Sequence, residues 1–530
     1  MMNSLTDVLQ AGWRPLFVLA LLLAAAALLL KPALRFVTKR IVDSTSAKLL
    51  SEPYDQNLAE LLPSLKRFSV INFIELSLRA QRGIVIARPL GSPKHYLGYD
   101  NLMFSPRQMA SLALPVATTI DMAVTLGRNA QRPLQLGIPL MIAGMAFGAG
   151  LSEEAKLALA KASKTLKTAN CSGEGPFLAE EARQSGKYIL QVCCWTWGAR
   201  TAEQIAMADM LEIKMGQGSD MGPAELPAAD IAGKAQVLGG LAPGEPAVGL
   251  PAPPGVLTPQ DWPEFMRQLR QKANGIPIAL KIMATDHIEE ELAIAEKLGF
   301  DVIVIDGCEG GSHATPPIKQ DDFGIPSLYA LMRAKRFLAN SSLSLVISGG
   351  YFTPGQCLKA LALGADAVYL GTVPLFALGH NQTEKVLPWE PPTTLLYYNS
   401  RDSSQLDIDQ AADSVANAMT SMVLEMEEAM RALGKTSLQE LGPADLVALD
   451  AVTAELTGVR LALQPPPAAA NCLKPLAELK EQLRYARSLA HMLETAAQVV
   501  AADNNSQHGL NRQLQAEKQR PLRQSRRQPI

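Results

Sequence analysis

The chain has 530 residues, a formal net charge of −2 from 49 Lys and Arg against 51 Asp and Glu, and 48% hydrophobic residues. That near balance gives no global attraction to a nucleic-acid backbone, so no nucleic-acid partner is expected, while the length and apolar share suit a large core in two to four domains or one big barrel. The six cysteines (171, 193, 194, 308, 357 and 472) form no CxxC pair and no even framework, which argues against a disulfide scaffold and for free thiols in a reducing compartment.

Pro15 to Leu30, PLFVLALLLAAAALLL, is uncharged, with Arg14 before it and Lys31, Arg35, Lys39 and Arg40 after it. At about 1.5 Å per residue this run spans roughly 24 Å, slightly short of a hydrocarbon core, and Trp13, Arg14 and Lys31 can reach the interfaces. A secretory signal places its cations ahead of the apolar run, whereas here they follow it. Residues 1–40 therefore read as a single membrane anchor, with the bulk of the chain on the cytoplasmic side by the positive-inside rule. A buried core helix is the plainer alternative, although an apolar surface all round is unusual at a terminus. Residues 41–135 carry mixed patterns and read as an extension leading into the next domain.

From 136 to 400 apolar runs alternate with helical stretches. The runs are 136–144, 168–173, 188–194, 210–215, 276–283, 301–307, 344–350 and 366–372, separated by segments such as SEEAKLALAKASKTL, EEELAIAEKLG and PGQCLKALALG. Strands alternating with helices of this length signal βαβ units, and eight of them predict an α/β fold, a (β/α)8 TIM barrel. A doubly wound open sheet alternates in the same way. The connection 216–260 is rich in proline and glycine and predicts either disorder or a lid over the C-terminal face. Beyond the barrel, 409–434 reads as a long amphipathic helix, the region 401–502 as helical, and 503–530 as a disordered basic tail able to touch anionic lipid or simply to remain solvated.

Two glycine turns bracket the last barrel helix, Ser348-Gly349-Gly350 and Gly371-Thr372. After strands seven and eight of such a barrel, backbone N–H groups and a helix N-terminus gather at one corner, a grip for a phosphorylated cofactor. Lys281, inside the apolar run ALKIM, points to the mouth if the barrel assignment holds, or else is a paired core lysine. Asp306, Gly307, Gly310 and Gly311 form the turn after strand six, either a close approach to a cofactor or simply a tight turn.

IDGCEGGSHATP, ISGGYFTPGQCLKALALGADAVYLGT and LEIKMGQG, together with RPLGSP, YDNLMFSPRQM, GMAFGAGLSEEAKLAL, NCSGEGP and SLQELGPADLVALDAVTAELTGV, resemble the FMN-binding synthase domain of glutamate synthases. The likeness runs from about residue 80 to 460. It implies an FMN-holding barrel that reductively aminates 2-oxoglutarate through 2-iminoglutarate, with electrons from an external donor. It further implies substrate contacts by Lys214, Gln217 and Glu174 and catalysis by Glu174, Lys214 and Lys281, with Glu174 moving a proton or else capping a helix and Lys281 stabilising an anionic reduced flavin. Gln191, Met145 and Ala146 are placed beside the flavin, and His313 is a weak proton-donor candidate. No metal site is expected.

The departures are equally specific. MMNSLTDV leads straight into the apolar run where the family carries a glutaminase domain with an N-terminal cysteine, so no such domain is expected, and ammonia is expected free or from a partner. HNQTEKVLPWEPPTT carries no cysteine where the family has cluster ligands, so no iron–sulfur cluster is expected. CWTWGAR stands where the family has an arginine after strand three, leaving Arg200 displaced and the substrate open. The enzymatic reading therefore competes with a flavoprotein that relays electrons or scaffolds a partner without substrate turnover.

Overall fold

The computed structural model describes residues 3–312, 315–382, 392–464 and 483–495. Eight parallel strands close on themselves: β1 (Leu140–Ile142), β2 (Ala169–Cys171), β3 (Lys187–Val192), β4 (Met210–Lys214), β5 (Ile278–Met283), β6 (Val302–Asp306), β7 (Ser344–Ser348) and β8 (Ala367–Leu370). Their order around the barrel is their order along the chain, β8 pairing with β1. The open-sheet alternative is thereby excluded.

Helices follow the strands in turn: α1 (Glu153–Thr165), α2 (Ala179–Gln184), α3 (Ala202–Ala206), α4 (Trp262–Ala273), α5 (Ile288–Leu298), α6 (Ser327–Phe337), α7 (Pro354–Ala362) and α8 (Thr372–Leu378). Local sequence sets their ends. Ser152 caps α1 by accepting from the Ala155 N–H, and Thr353 with Gln356 forms a capping box at α7.

Alternation along each strand separates two cores. Leu211, Ile213, Ile278, Leu280, Ile303, Ile305, Leu345 and Ile347 face the helices. Met210, Ala279, Val302, Val304, Val346 and Ala367 fill the barrel interior. The lower end is closed by a hairpin, Val124–Leu126 paired with Leu134–Leu136, whose leucines join the interior cluster. Inward positions nearer the upper end are polar instead: Gln191, Glu212, Lys214, Lys281, Asp306 and Ser348, all buried. A parallel barrel presents its C-terminal strand ends to ligands, and this is where the apolar filling stops.

One expectation needs correction, and one pair of alternatives is decided. The first run, 136–144, is not one strand, because Leu136 belongs to the hairpin and β1 begins only at Leu140. Pro139 has no N–H to give a ladder, and the Gly137 N–H donates to the Lys167 carbonyl at 2.8 Å, so the chain turns there. The connection after β4 is an ordered layer. Gly216–Gln217 pairs with Asp220–Met221, Glu225–Leu226 pairs with Ala247–Val248, and two short helices lie between (Ala228–Ile231 and Lys234–Leu238). Its apolar side chains Ile231, Ala235 and Ala247 cluster with Phe147, Leu178, Trp195 and Trp197 from the loops after β1, β2 and β3.

Helix α9 (Ile408–Ala432) starts at the capping Asp407 and buries Ala411, Val415, Met419, Met422, Met426 and Met430, a period close to 3.6. The region after it also supplies a short strand, Leu446–Ala448, antiparallel to Leu102–Phe104 of the extension. Residues 1–459 form one compact unit, and of the second, 460–530, residues 483–495 are helical. At the N-terminus, helix Asn3–Ser51 contains a stretch, Leu21–Ser51, long and apolar enough to cross a membrane, with mean hydropathy 1.8 and none of its apolar window buried. The basic tail and His313 lie outside the described residues.

Candidate functional site

A cavity whose empty space, counting the part open to solvent, is about 1170 Å³ lies at the C-terminal mouth of the barrel. Its lining includes Met145, Ala146, Glu174, Gln191, Lys214, Gln217, Lys281, Asp306, Gly310, Gly311, Ser348, Gly349, Gly350, Gly371 and Thr372. The structure thus brings together the described residues singled out from the sequence as cofactor- or substrate-facing, except Gly307, which lies in the turn after β6 but outside the lining. The lining also holds Leu90, Asp220, Tyr351, Tyr369 and Tyr397, which sequence reasoning did not single out.

At the floor, Lys281 is fully enclosed. Its ammonium lies 3.3 Å from Asp306 Oδ2 and 5.6 Å from the Tyr369 ring centroid. Burial works against the charge, but the carboxylates of Asp306 and Glu212 outweigh it and hold Lys281 above the ordinary lysine value. Glu212 anchors a buried network, accepting from Gln191 Nε2 at 2.7 Å and from the Tyr369 hydroxyl at 2.9 Å. Gln191 Oε1 and Asp306 Oδ1, on two residues that line the cavity, are both buried without a hydrogen-bond partner. Buried acceptors left without donors in a cavity wall are vacancies for a ligand's N–H groups.

On a second wall, Lys214 Nζ lies 2.8 Å from Glu174 Oε2 and 3.0 Å from Asp220 Oδ2. Burial again opposes the lysine charge, and the two carboxylates reverse the effect and raise it well above its usual value. Asp220 is held below its usual value by Lys214, against its own burial. The loop bearing Glu174 is fixed by its main chain. Trp197 Nε1 donates to the Glu174 carbonyl at 2.8 Å, and Arg200 donates to the carbonyls of Gly175 (2.9 Å) and Gln191 (2.8 Å). The CWTWGAR segment therefore uses Arg200 to brace strand and loop, not to face the cavity. Trp195 and Trp197 stack at 5.2 Å, and Trp195 bridges to Gly249 in the layer above.

Lys156 of α1 is a missed positioning residue. Fully buried, it pairs with Glu181 at 2.8 Å and donates to the carbonyls of Met145 (2.6 Å) and Ser172 (3.1 Å), so one ammonium ties the loops after β1 and β2. Glu181 is pushed up by burial, partly offset by Lys156. A lysine at a buried helical position in SEEAKLALAK is the sequence signal, but its partners are set only by the fold.

The glycines divide by what they touch. At Gly349, φ is +109° and a Cβ would lie 2.6 Å from the Gly307 nitrogen; at Gly311 it would lie 2.5 Å from the Leu90 carbonyl carbon. Both therefore serve loop-on-loop packing as well as lining the cavity. Gly371 differs, since a Cβ there would meet nothing nearer than the Ala143 Cβ at 3.9 Å, so the space beyond it is open cavity. It precedes α8, whose first-turn N–H groups at Thr372 and Val373 have no carbonyl four residues back within the helix. Open space, free amides, unpaired acceptors and a buried cation fit FMN in shape and polarity. Among the described residues no group of three His, Cys, Asp or Glu could hold a metal ion.

Residues 94–436 match the family model described as a conserved region in glutamate synthase. The chain belongs to the glutamate synthase family. A glutamate synthase large subunit-like protein of Rhizobium meliloti is 30% identical over 423 residues, 74% of this chain and 94% of that one. An archaeal-type glutamate synthase (NADPH) of a Thermotoga species is 26% identical, over 70% of this chain and 78% of that one. An archaeal glutamate synthase (NADPH) of Methanocaldococcus jannaschii is 30% identical, covering 69% and 78% respectively. The chain is thus an oxidoreductase of the glutamate synthase kind.

Proposed function

We propose that this glutamate synthase family member is a membrane-anchored, FMN-dependent oxidoreductase that interconverts a 2-oxo acid, with ammonia, and the corresponding amino acid. The observation that carries the reading is the convergence of Lys281, the unpaired Gln191 acceptor, the Gly349–Gly350 and Gly371–Thr372 turns and the Glu174–Lys214 pair on one cavity. When bound, FMN supplies a two-electron carrier able to give or take a hydride.

The chain's own residues do the remaining work. Gly349, Gly350, Gly371 and Thr372 would hold the phosphate through main-chain amides. Gln191 would offer an acceptor to the cofactor, and Met145, Ala146, Asp306, Gly310, Gly311 and Ser348 would complete its wall. Lys281 offsets negative charge that develops beside it. Lys214 and Gln217 orient the substrate, and Glu174, on the ammonium of Lys214, carries the proton that leaves or joins the nitrogen as imine and amine interconvert. Glutamate with 2-oxoglutarate, the pair implied by the sequence resemblance, is one member of this class. Electrons reach the site from an external donor.

Helix Asn3–Ser51 supports the anchor by its length and apolar surface, with the catalytic unit on the cytoplasmic side. The test is anaerobic: full-length protein purified in detergent is screened for flavin bleaching by amino acids. Bleaching by at least one of them is expected, and a flavin inert to all of them refutes the enzymatic reading and leaves an electron-relay subunit.

A further inference from the structure

Asp220 lies outside every motif that the sequence analysis assigns to the site, yet it shapes the charge of the cavity. Among the described residues, the charged side chains lining that cavity are Glu174, Lys214, Asp220, Lys281 and Asp306, three carboxylates against two ammonium groups, with no arginine. Lys281 is taken up by Asp306 at 3.3 Å. Lys214 is shared between Glu174 and Asp220 at 2.8 and 3.0 Å. Each of those two carboxylates commits one oxygen to Lys214, leaves the other without a described donor, and is 24% exposed. Lys319, which donates to the Met221 carbonyl, acts on Asp220 from outside the cavity lining.

A substrate bearing two carboxylates would bring like charge to a wall with no uncommitted cation, and the phosphate of a nucleotide cofactor would add to the excess. With Glu174 serving the reacting nitrogen, a second ammonium would instead meet the Asp220 oxygen that has no described donor. We infer that the Glu174–Lys214–Asp220 wall selects a substrate carrying an ammonium group at this position, a diamino acid or amine in place of a dicarboxylate, and that Asp220 sets the preference. The inference rests on reading the cavity as an amino-acid and 2-oxo-acid site.

The experiment titrates the FMN-loaded full-length protein with L-ornithine, L-norvaline and L-glutamate and follows the flavin absorbance change. Ornithine is expected to bind at least about tenfold more tightly than glutamate. Asp220→Asn should lower that ratio about tenfold or more, and Asp220→Lys should invert it. A wild-type ratio below tenfold, or a ratio unchanged in Asp220→Asn, overturns the inference. FMN content reports the integrity of each variant, and Glu174→Gln provides the second reading should Asp220→Asn lose its flavin. If none of the three perturbs the flavin while another amino acid bleaches it, the inference is overturned; if the full amino-acid screen is inert as well, the underlying enzymatic reading fails instead.

Discussion

Gly371→Leu places a side chain where the cofactor phosphate is proposed to sit. Gly371 has φ −105°, outside the left-handed region that favours glycine, and an added Cβ meets only the Ala143 Cβ at 3.9 Å. The apoprotein therefore has no packing reason to resist the change, and the new atoms project into the cavity. Losing two charge-assisted hydrogen bonds, at about 1.5–3 kcal/mol each, weakens FMN binding by about 3–6 kcal/mol. That is roughly a hundredfold to ten-thousandfold in Kd. Fluorescence quenching during titration of apoprotein with FMN measures the loss, and thermal melting of the same apoprotein should stay within a few degrees of wild type. A variant that binds FMN like wild type refutes the phosphate corner. Gly349→Ala is a poorer probe, because its φ of +109° and the 2.6 Å approach to the Gly307 nitrogen would lose flavin through strain alone.

Lys281→Met removes the cation beside Asp306 and should lower the flavin midpoint potential by several tens of mV, about 30 mV for each 1.4 kcal/mol of lost two-electron stabilisation; spectroelectrochemistry showing no shift would remove Lys281 from the electronic role. Lys156→Met strands Glu181 in the core and should cost about 3–5 kcal/mol in urea unfolding, with Glu181→Gln restoring part of it, whereas a loss near zero would show the pair to be dispensable. Glu309 is raised to about 7, chiefly by burial and with a contribution from Asp306, while its carboxylate caps the Ser327 N–H of α6. Because its folded value lies above its unfolded one, the fold favours the protonated form, so this group destabilises progressively as pH rises from the ordinary carboxylate range to about 7. The effect is on the order of 3 kcal/mol, and Glu309→Gln should flatten that slope of Tm against pH relative to wild type; parallel profiles would contradict it.

The barrel was legible because each strand is an apolar run bounded by glycine, proline or a polar turn, and because β–α alternation admits few topologies. Pro139 marks where that reading failed: hydrophobicity continues through 136–144, but a residue without an N–H ends one ladder and starts another. Lys281 stood out as a charge within ALKIM. Glu212, two residues before Lys214 on β4, offered the same signal in MLEIKM and went unread, because a lone acid in a strand does not announce that its partners are Gln191 and Tyr369. Asp220 had no local signal at all. Its meaning comes from a hairpin that folds it back onto Lys214. Leu90, at φ +70°, and Gly91, at φ +96°, form a tight turn readable in RPLGSP, but only the tertiary structure sets that turn against Gly311 at the cavity rim.

The most direct measurement mixes photoreduced full-length protein, without oxygen, with a panel of 2-oxo acids and isotopically labelled ammonium. The account requires the flavin to reoxidise with at least one 2-oxo acid and the label to appear in the matching amino acid. A flavin that stays reduced across the panel, or that reoxidises without incorporating labelled nitrogen, would contradict it.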